Sequence, residues 1–269
     1  MSHPVCPSCQ QPAERPTRFE GVYYCGRHGD FEWFDHALLH DTDAIKIYQD
    51  YPYNLAIERN YPAMRPRYLR GLKKRILRHF PDARGLTFLD VGCANGEYLD
   101  CARELGLCRV EGVEVDAKAR AKAGQFGAVS ADLKEIAEPF DVVQCKNVLS
   151  NIEHFNDFFS GLLNLVKPGG VLFLDVLNQN SLSARLKKII GRPGILRPPF
   201  VINGFSKGSL KALAEKHLAK VVKLETTYCG SDLLPYKRTF GLTLRGKFSQ
   251  FLGTGTMIVA DILPGKRAG

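Results

Sequence analysis

A carboxylate and a glycine-bounded turn lie close together near the middle of the chain. Residues 86–90 form a short apolar run that predicts a buried strand ending at Asp90, and Gly92 and Gly96 follow it. Glycine tolerates positive φ and lets a ligand approach the main chain closely. In open α/β sheets ligands bind at the carboxyl ends of strands. The stretch therefore predicts a small-molecule pocket.

Two further acids follow neighbouring predicted strands. Glu114 ends the second strand, and Asp132 follows the third. In nucleotide-binding α/β folds, a carboxylate at the tip of the second strand accepts hydrogen bonds from ribose hydroxyls, whereas Asp116 is better placed to cap the next helix. Together with Asp90, these acids suit a ligand with several donors and a positive charge. They suit a pyrophosphate poorly.

The N-terminus has the residue spacing of a metal site. The pattern is C-x2-C-x15-C-x2-H, and its members are Cys6, Cys9, Cys25 and His28. Paired ligands on short turns deliver the four tetrahedral contacts of zinc, at about 2.0–2.3 Å, in twos. His3 or His36 could take the place of His28, and the alternative is a pair of cysteine turns without metal. With four protein ligands the zinc would be structural.

The elements that must position these residues alternate between strand and helix. Predicted strands cover residues 86–90, 109–114, 128–130, 140–145, 171–176, 220–226 and 256–262. Helices lie between them, and Ser206 is the expected N-cap of the one over 206–217. Repeated β-α units indicate an α/β fold with a parallel sheet covered by helices on both faces.

Charge and composition narrow the class of protein. The 269 residues carry a net charge of +9, concentrated in residues 59–84 and 181–247, whereas the first 58 residues are acidic overall. Anionic partners would therefore meet the middle and late segments. No apolar run reaches the roughly 18 residues of a membrane span, and the N-terminus lacks a signal-peptide pattern. We expect a cytoplasmic protein.

Three regions are expected along the chain. Residues 1–35 would form a zinc-ribbon-like module, 36–84 an aromatic and basic connector, and 85–269 the main domain with insertions near 178–205 and 229–253. The tyrosines crowded in the connector predict either a strap packed across the domain or a lid over the pocket. A helix is predicted over 66–80. The basic amphipathic segment in the first insertion could dock on an anionic membrane surface or clasp an anionic acceptor.

Six motifs in order resemble the class I S-adenosylmethionine-dependent methyltransferases over residues 65–262. They are Leu-Asp-Val-Gly-Cys-Ala-Asn-Gly (89–96), Gly-Val-Glu (112–114), Ala-Asp-Leu (131–133), Phe-Asp-Val-Val (140–143), Asn-Val-Leu (147–149) and Leu-Val-Lys-Pro-Gly-Gly (165–170). The resemblance implies a Rossmann-like, doubly wound, mostly parallel seven-stranded sheet whose last strand is antiparallel.

The resemblance also implies a set of cofactor-binding residues. They are Asp90, Gly92, Cys93, Gly96, Glu114, Asp132 and Lys146. Asp90 and Gly92 would border the methionine end of S-adenosylmethionine, Glu114 the ribose hydroxyls and Asp132 the adenine amino group. Lys146 would lie near the sulfonium.

One departure from the family concerns proton transfer. Many small-molecule members carry Glu-His where this chain has Ser150 and Asn151, and asparagine cannot accept a proton at neutral pH. His154, one helical turn further on, is the candidate catalytic base; the alternative is a polar residue on the first turn of a helix. Alignment of the two reactants can supply about 7–11 kcal/mol, so a dedicated base is optional.

Three functions fit the pattern. The leading hypothesis is methyl transfer to an O or N atom of a small, anionic acceptor, such as a sugar, glycan precursor or secondary metabolite. The alternative is a ribosomal RNA methyltransferase, because some members of that class also carry an N-terminal zinc module and the chain is basic. Against it, this module is acidic and its ligand spacing differs. A non-enzymatic zinc-ribbon scaffold is the third hypothesis.

Overall fold

A computed structural model describes residues 4–27, 29–39, 52–227 and 255–265, and of residues 52–57 it describes the backbone alone. The insertion expected near 229–253 lies outside these ranges. The first strands are β1 (Arg15–Pro16), β2 (Val22–Cys25), β3 (Phe31–Phe34), β4 (Thr87–Val91), β5 (Arg109–Val113) and β6 (Ala128–Ser130). The later ones are β7 (Phe140–Lys146), β8 (Val166–Leu177), β9 (Asn203–Gly204), β10 (Lys220–Thr227) and β11 (Met257–Leu263).

The described helices are α1 (Pro52–Ile76), α2 (Glu97–Glu104), α3 (Ala117–Ala123), α4 (Phe155–Asn164), α5 (Leu182–Ile189) and α6 (Lys207–Lys216). None of them is long and apolar enough to cross a bilayer. Both predicted N-caps are confirmed. Asp116 accepts the first amides of α3, and Ser206 forms a capping box with Ser209 at the start of α6.

The main sheet confirms the predicted topology. Its seven strands lie in the order β10-β11-β8-β7-β4-β5-β6. Strand β11 is antiparallel to both its neighbours, whereas the pairs between β8 and β6 are parallel. Strand β4 is buried at every position because helices cover both faces of the sheet. The fold is the expected Rossmann-like α/β architecture.

The helix expected from Pro66 begins much earlier, at Pro52, and contains both Pro62 and Pro66. A proline inside a helix lacks its amide hydrogen and crowds the carbonyl four residues earlier, so prolines predict a boundary. Tertiary contacts override that signal here, because Tyr61 donates to Asp100 at 2.6 Å. Among the crowded tyrosines, Tyr61 is therefore packed on α2; the others before it lie outside the described side chains.

A buried ion cluster anchors the end of α1 to the sheet. The Arg75 guanidinium donates to Asp261 on β11 at 2.7 Å and to Asp175 on β8 at 2.8 Å. It also lies 4.3 Å from the ring centroid of Phe173. Burial acts to raise the pKa of Asp261, but the Arg75 charge and the hydrogen bonds from His79 and Arg75 outweigh it and lower the pKa. The same contacts fix α1 across the strands.

The N-terminal strands share a sheet with the first insertion. The four-stranded sheet has the order β1-β2-β3-β9, and β9 comes from residues 203–204 of that insertion. The Phe34 amide donates to the Ile202 carbonyl at 2.8 Å. The Phe31 ring lies 5.5 Å from Phe155 and 5.3 Å from Phe205, inside the main core. The cysteine-bearing segment is therefore packed into the large domain.

The N-terminal segment also meets the large domain glycine against glycine. Gly29 has a φ of +81°, and a Cβ there would lie 2.5 Å from the carbonyl carbon of Gly208 at the start of α6. Gly85 has a nearly equal φ of +79° and open space around it. Alanine substitutions at Gly29 and Gly85 therefore distinguish the cost of backbone strain from the cost of steric overlap.

We predict that Gly29→Ala destabilises the protein more than Gly85→Ala does. Both substitutions place alanine at positive φ, at a cost of roughly 1–2 kcal/mol. Only Gly29→Ala also overpacks a backbone contact, which adds about 1–3 kcal/mol. Urea unfolding measures both, and equal losses of unfolding free energy would mean that the N-terminal segment does not bear on α6.

Candidate active site

A cavity of about 480 Å³ opens at the carboxyl ends of β4, β5, β6 and β7. Asp90 and Gly92 reach it from β4, Glu114 from β5 and Asp132 from the end of β6. Lys146 reaches it from β7. The acids of three adjacent strand tips thus share one space, as their spacing predicts. Cys93 lines the cavity as well, whereas Gly96 is absent from its lining residues.

The turn after β4 has no space for a side chain at Gly92. Gly92 has a φ of +77°, and a Cβ there would lie 2.2 Å from a methyl of Val148. The amides of Gly92 and Cys93 both donate to the Val113 carbonyl, at 2.8 and 3.1 Å. Gly96 has a φ of +89° and lets the N-terminus of α2 pass close to Phe126. It therefore serves helix packing.

Glu114 joins the turn to the next helix. Its carboxylate accepts the Ala94 amide and the Asp116 amide, each at 2.9 Å. The side chain is only 4% exposed, and burial raises its pKa. The two amides fix the carboxylate in the cavity wall, because a buried acceptor needs donors.

Asp90 is the most deeply buried acid of the cavity. Burial raises its pKa to about 7, although Gln144 donates to the carboxylate at 3.1 Å. The charges of Glu97 and Glu114 raise this pKa further, and that of Lys146 lowers it. The cavity floor therefore disfavours the ionised form of the Asp90 carboxyl.

Asp132 has two roles. It is exposed, and one carboxylate oxygen accepts the Lys134 amide at 2.9 Å, which caps the short 3-10 helix Leu133–Glu135. The residue also lines the cavity. Capping uses one oxygen, so the other can still accept a hydrogen bond from a ligand.

Two tyrosines that the sequence did not single out surround Lys146. Its ammonium donates to the Tyr98 hydroxyl at 2.9 Å and lies 5.0 Å from that ring and 5.4 Å from Tyr68. Both tyrosines line the cavity. Tyr68 lies at helical spacing among apolar residues, so its position in the sequence predicts a core residue. Its polar hydroxyl was the one feature that could have indicated a place in the cavity wall.

His154 does not lie in the cavity. It is exposed at the N-cap position of α4 and makes no capping hydrogen bond. Asn151 lines the cavity and donates to the Asn147 carbonyl at 3.3 Å. Asn147 also lines it, with a φ of +61° and a buried Oδ1 that has no partner within the described part of the chain. Asn147 and Asn151 therefore line the cavity wall, whereas His154, the expected base, lies outside it.

Three of the four predicted metal ligands converge. The Sγ atoms of Cys6, Cys9 and Cys25 all lie within 4.8 Å of one another, which fits a zinc ion bound by soft ligands. His28 and the substitute His3 lie outside the described residues. The other substitute, His36, is described but does not belong to the cluster.

Comparison with known proteins agrees with this architecture. A family model described as a methyltransferase domain matches residues 62–224. The ubiquinone biosynthesis O-methyltransferase of Burkholderia lata is 31% identical over 119 residues, 40% of this chain and 50% of that protein. That of Albidiferax ferrireducens is 26% identical over 181 residues, 62% of this chain and 66% of its own length. The chain thus spans about half to two thirds of these relatives.

The fold is also that of a solved methyltransferase. Magnesium protoporphyrin IX methyltransferase (ChlM) from Synechocystis PCC 6803, with bound SAH, superposes with a TM-score of 0.53 at 15% identity, covering 76% of this chain and 84% of that one. Fold and strand-tip site define a class I S-adenosylmethionine-dependent methyltransferase. The chain belongs to the methyltransferase-domain family that matches more than half of its length.

We predict that the purified protein contains about one zinc ion per chain. Cys9→Ser should lose most of this metal and lower the midpoint of thermal unfolding, because a structural zinc contributes directly to folding. Cys108→Ser, at an exposed cysteine outside the cluster, is the matched control. Elemental analysis and calorimetry measure both effects, and metal-free protein purified without chelators would refute the site.

The raised pKa of Asp90 predicts a pH-dependent stability. The unfolded carboxyl titrates near pH 4 and the folded one near 7, so the folded state binds more protons in between. Stability contributed by this group therefore falls as pH rises from about 4 to 7 and is constant above. Asp90→Asn should gain stability relative to the parent across that window.

Urea unfolding at a series of pH values measures this difference. Glu153→Gln, which removes an exposed acid, is the control and should run parallel to the parent protein. A stability difference between Asp90→Asn and the parent that does not vary with pH would contradict the assignment.

Proposed function

We propose that the chain transfers a methyl group from S-adenosylmethionine to an oxygen, or a nitrogen, of a small anionic acceptor. One observation carries the proposal: Asp90, Glu114 and Asp132 line a single cavity together with Lys146. The relatives are named O-methyltransferases, which favours oxygen over nitrogen.

The order of the strands suggests how the donor lies. Asp132 and Glu114 stand at the tips of β6 and β5, on one side of β4. They would hold the adenine amino group and the ribose hydroxyls. Asp90 and Gly92, on β4, would border the methionine end, and Lys146 stands on the other side, at the tip of β7. The donor supplies a methyl group already activated by a positive sulfonium.

Charge supports a cationic ligand at this place. Asp90 and Glu114 are buried, and the pKa of each is raised because burial disfavours the carboxylate. A ligand with a positive charge would favour the ionised forms. The two backbone amides on Glu114 hold its carboxylate in place before the ligand arrives, so little reorganisation accompanies binding.

An anionic acceptor suits the β7 side of the cavity. The Lys146 ammonium is oriented by Tyr98 and can stabilise an oxyanion. Asn147 offers a buried Oδ1 that could accept a hydrogen bond from the acceptor. Neither asparagine in the wall can remove a proton, so the reaction would depend on alignment and on an acceptor that is already ionised.

The remaining wall is apolar and comes partly from the first insertion. Pro199 and Phe200 line the cavity, as do Ile152 and Phe158. These side chains would exclude water from the reacting groups and set the shape of the acceptor. The cysteine cluster would act at a distance, through the sheet that it shares with β9, and take no part in the chemistry.

We predict that Glu114→Ala weakens S-adenosylmethionine binding by at least about 100-fold, because two hydrogen bonds to a charged acceptor, worth roughly 1.5–3 kcal/mol each, are lost. Glu111→Ala removes a carboxylate of the same strand that does not line the cavity and should leave affinity unchanged. Titration calorimetry measures both.

Unaltered affinity in Glu114→Ala would remove the site assignment. Methyl-transfer assays then test the acceptor, with phenols, sugars and RNA fragments offered side by side. Transfer to a small hydroxyl compound supports the proposal. Transfer to RNA alone, with binding that weakens steeply as salt increases, would replace it with the ribosomal RNA alternative.

A further inference from the structure

The outer face of α5 presents an apolar stripe to solvent. Leu182 is 56% exposed, Leu186 53%, Ile189 73% and Ile190 69%. Positions 182, 186 and 189 recur at helical spacing, so their side chains lie on one face. Single exposed apolar residues are ordinary, but a contiguous group marks an interaction site.

The inner face of the same helix fixes this orientation. Ala184 is fully buried, and the Ser181 side chain caps the helix by accepting the Ala184 amide at 3.2 Å. Lys188 pairs with Glu32 of β3 at 2.6 Å. The helix is therefore held on both sides, and the apolar stripe cannot turn inward without breaking these contacts.

Uncompensated cations border the stripe. Arg185, Lys187 and Arg192 have no acidic partner within the described ranges. Burial lowers the pKa of Lys187, and the neighbouring charges of Arg197 and Arg192 lower it further. Such a group is stable beside an anion, because opposite charge offsets the mutual repulsion.

We propose that this face, Leu182 to Arg192, docks in the plane of an anionic phospholipid bilayer. Exposed aliphatic side chains flanked by arginine and lysine match the boundary between acyl chains and acidic headgroups. A nucleic acid backbone would satisfy the cations but leave both isoleucines in water. The membrane accounts for the apolar and the charged residues together.

Docking would place the cavity beside the bilayer. The insertion that carries α5 continues to Pro199 and Phe200, which line the cavity wall. An acceptor dissolved in the membrane could then reach the site along this segment. Membrane binding itself needs no methyl transfer, so its test is independent of the function proposed above.

The experiment is co-sedimentation of the full-length protein with phosphatidylcholine vesicles, with and without phosphatidylglycerol. We expect binding to the anionic vesicles and little to the neutral ones. Arg185→Gln with Lys187→Gln should reduce the partition coefficient about fivefold for each charge removed. The control, Lys118→Gln with Lys220→Gln, changes net charge equally at exposed positions elsewhere and should bind like the parent.

The apolar half of the surface has its own pair of variants. Leu186→Ser with Ile189→Ser should abolish most vesicle binding, whereas Leu218→Asn, at an 81% exposed leucine away from α5, should not. The circular dichroism spectrum and the midpoint of thermal unfolding verify that each variant is folded. Equal binding to neutral vesicles, equal loss in the controls, or binding to RNA with none to vesicles would overturn the proposal.

Discussion

Negative charge buried at the tips of β4 and β5 is the constraint on which the site depends. Asp90 and Glu114 are both buried, and burial raises the pKa of each carboxyl. The charges of Glu97 and Glu114 raise the pKa of Asp90 further. Backbone amides and one lysine offset part of this cost. A cation entering the cavity would supply the rest, which connects the stability of the fold with its ligand.

The N-terminal cysteine cluster and the cavity are linked through a shared sheet. Cys25 ends β2, β2 pairs with β3, and β3 pairs with β9. The segment just before β9 contributes Phe200 to the cavity wall. Metal at the cysteines would therefore stiffen one side of the acceptor region without touching a reactant. This is a structural reason for joining a cysteine module to this fold.

Local signals fixed much of the architecture in advance. The alternation of strands and helices, the caps at Asp116 and Ser206 and the meeting of three acids follow from periodicity and motif spacing. The seven-stranded sheet with an antiparallel last strand followed from the resemblance to the methyltransferase family, and the full strand order came from the structure. The start of α1 did not follow from the sequence, since Tyr61 and neighbouring contacts outweigh Pro62 and Pro66. The two-residue strand β9 could not be predicted from the sequence either, because it is defined by its pairing with β3. The place of Tyr98 in the site likewise depends on its contact with Lys146, which the sequence does not show.

The most direct test of the central claim is a crystal structure with S-adenosylhomocysteine. The account predicts that the Glu114 carboxylate lies within hydrogen-bond distance of both ribose hydroxyls, with Asp132 beside the adenine amino group and Asp90 beside the methionine end. A ligand bound elsewhere, or one in this cavity that leaves Glu114 bonded to the Ala94 and Asp116 amides alone, would contradict it.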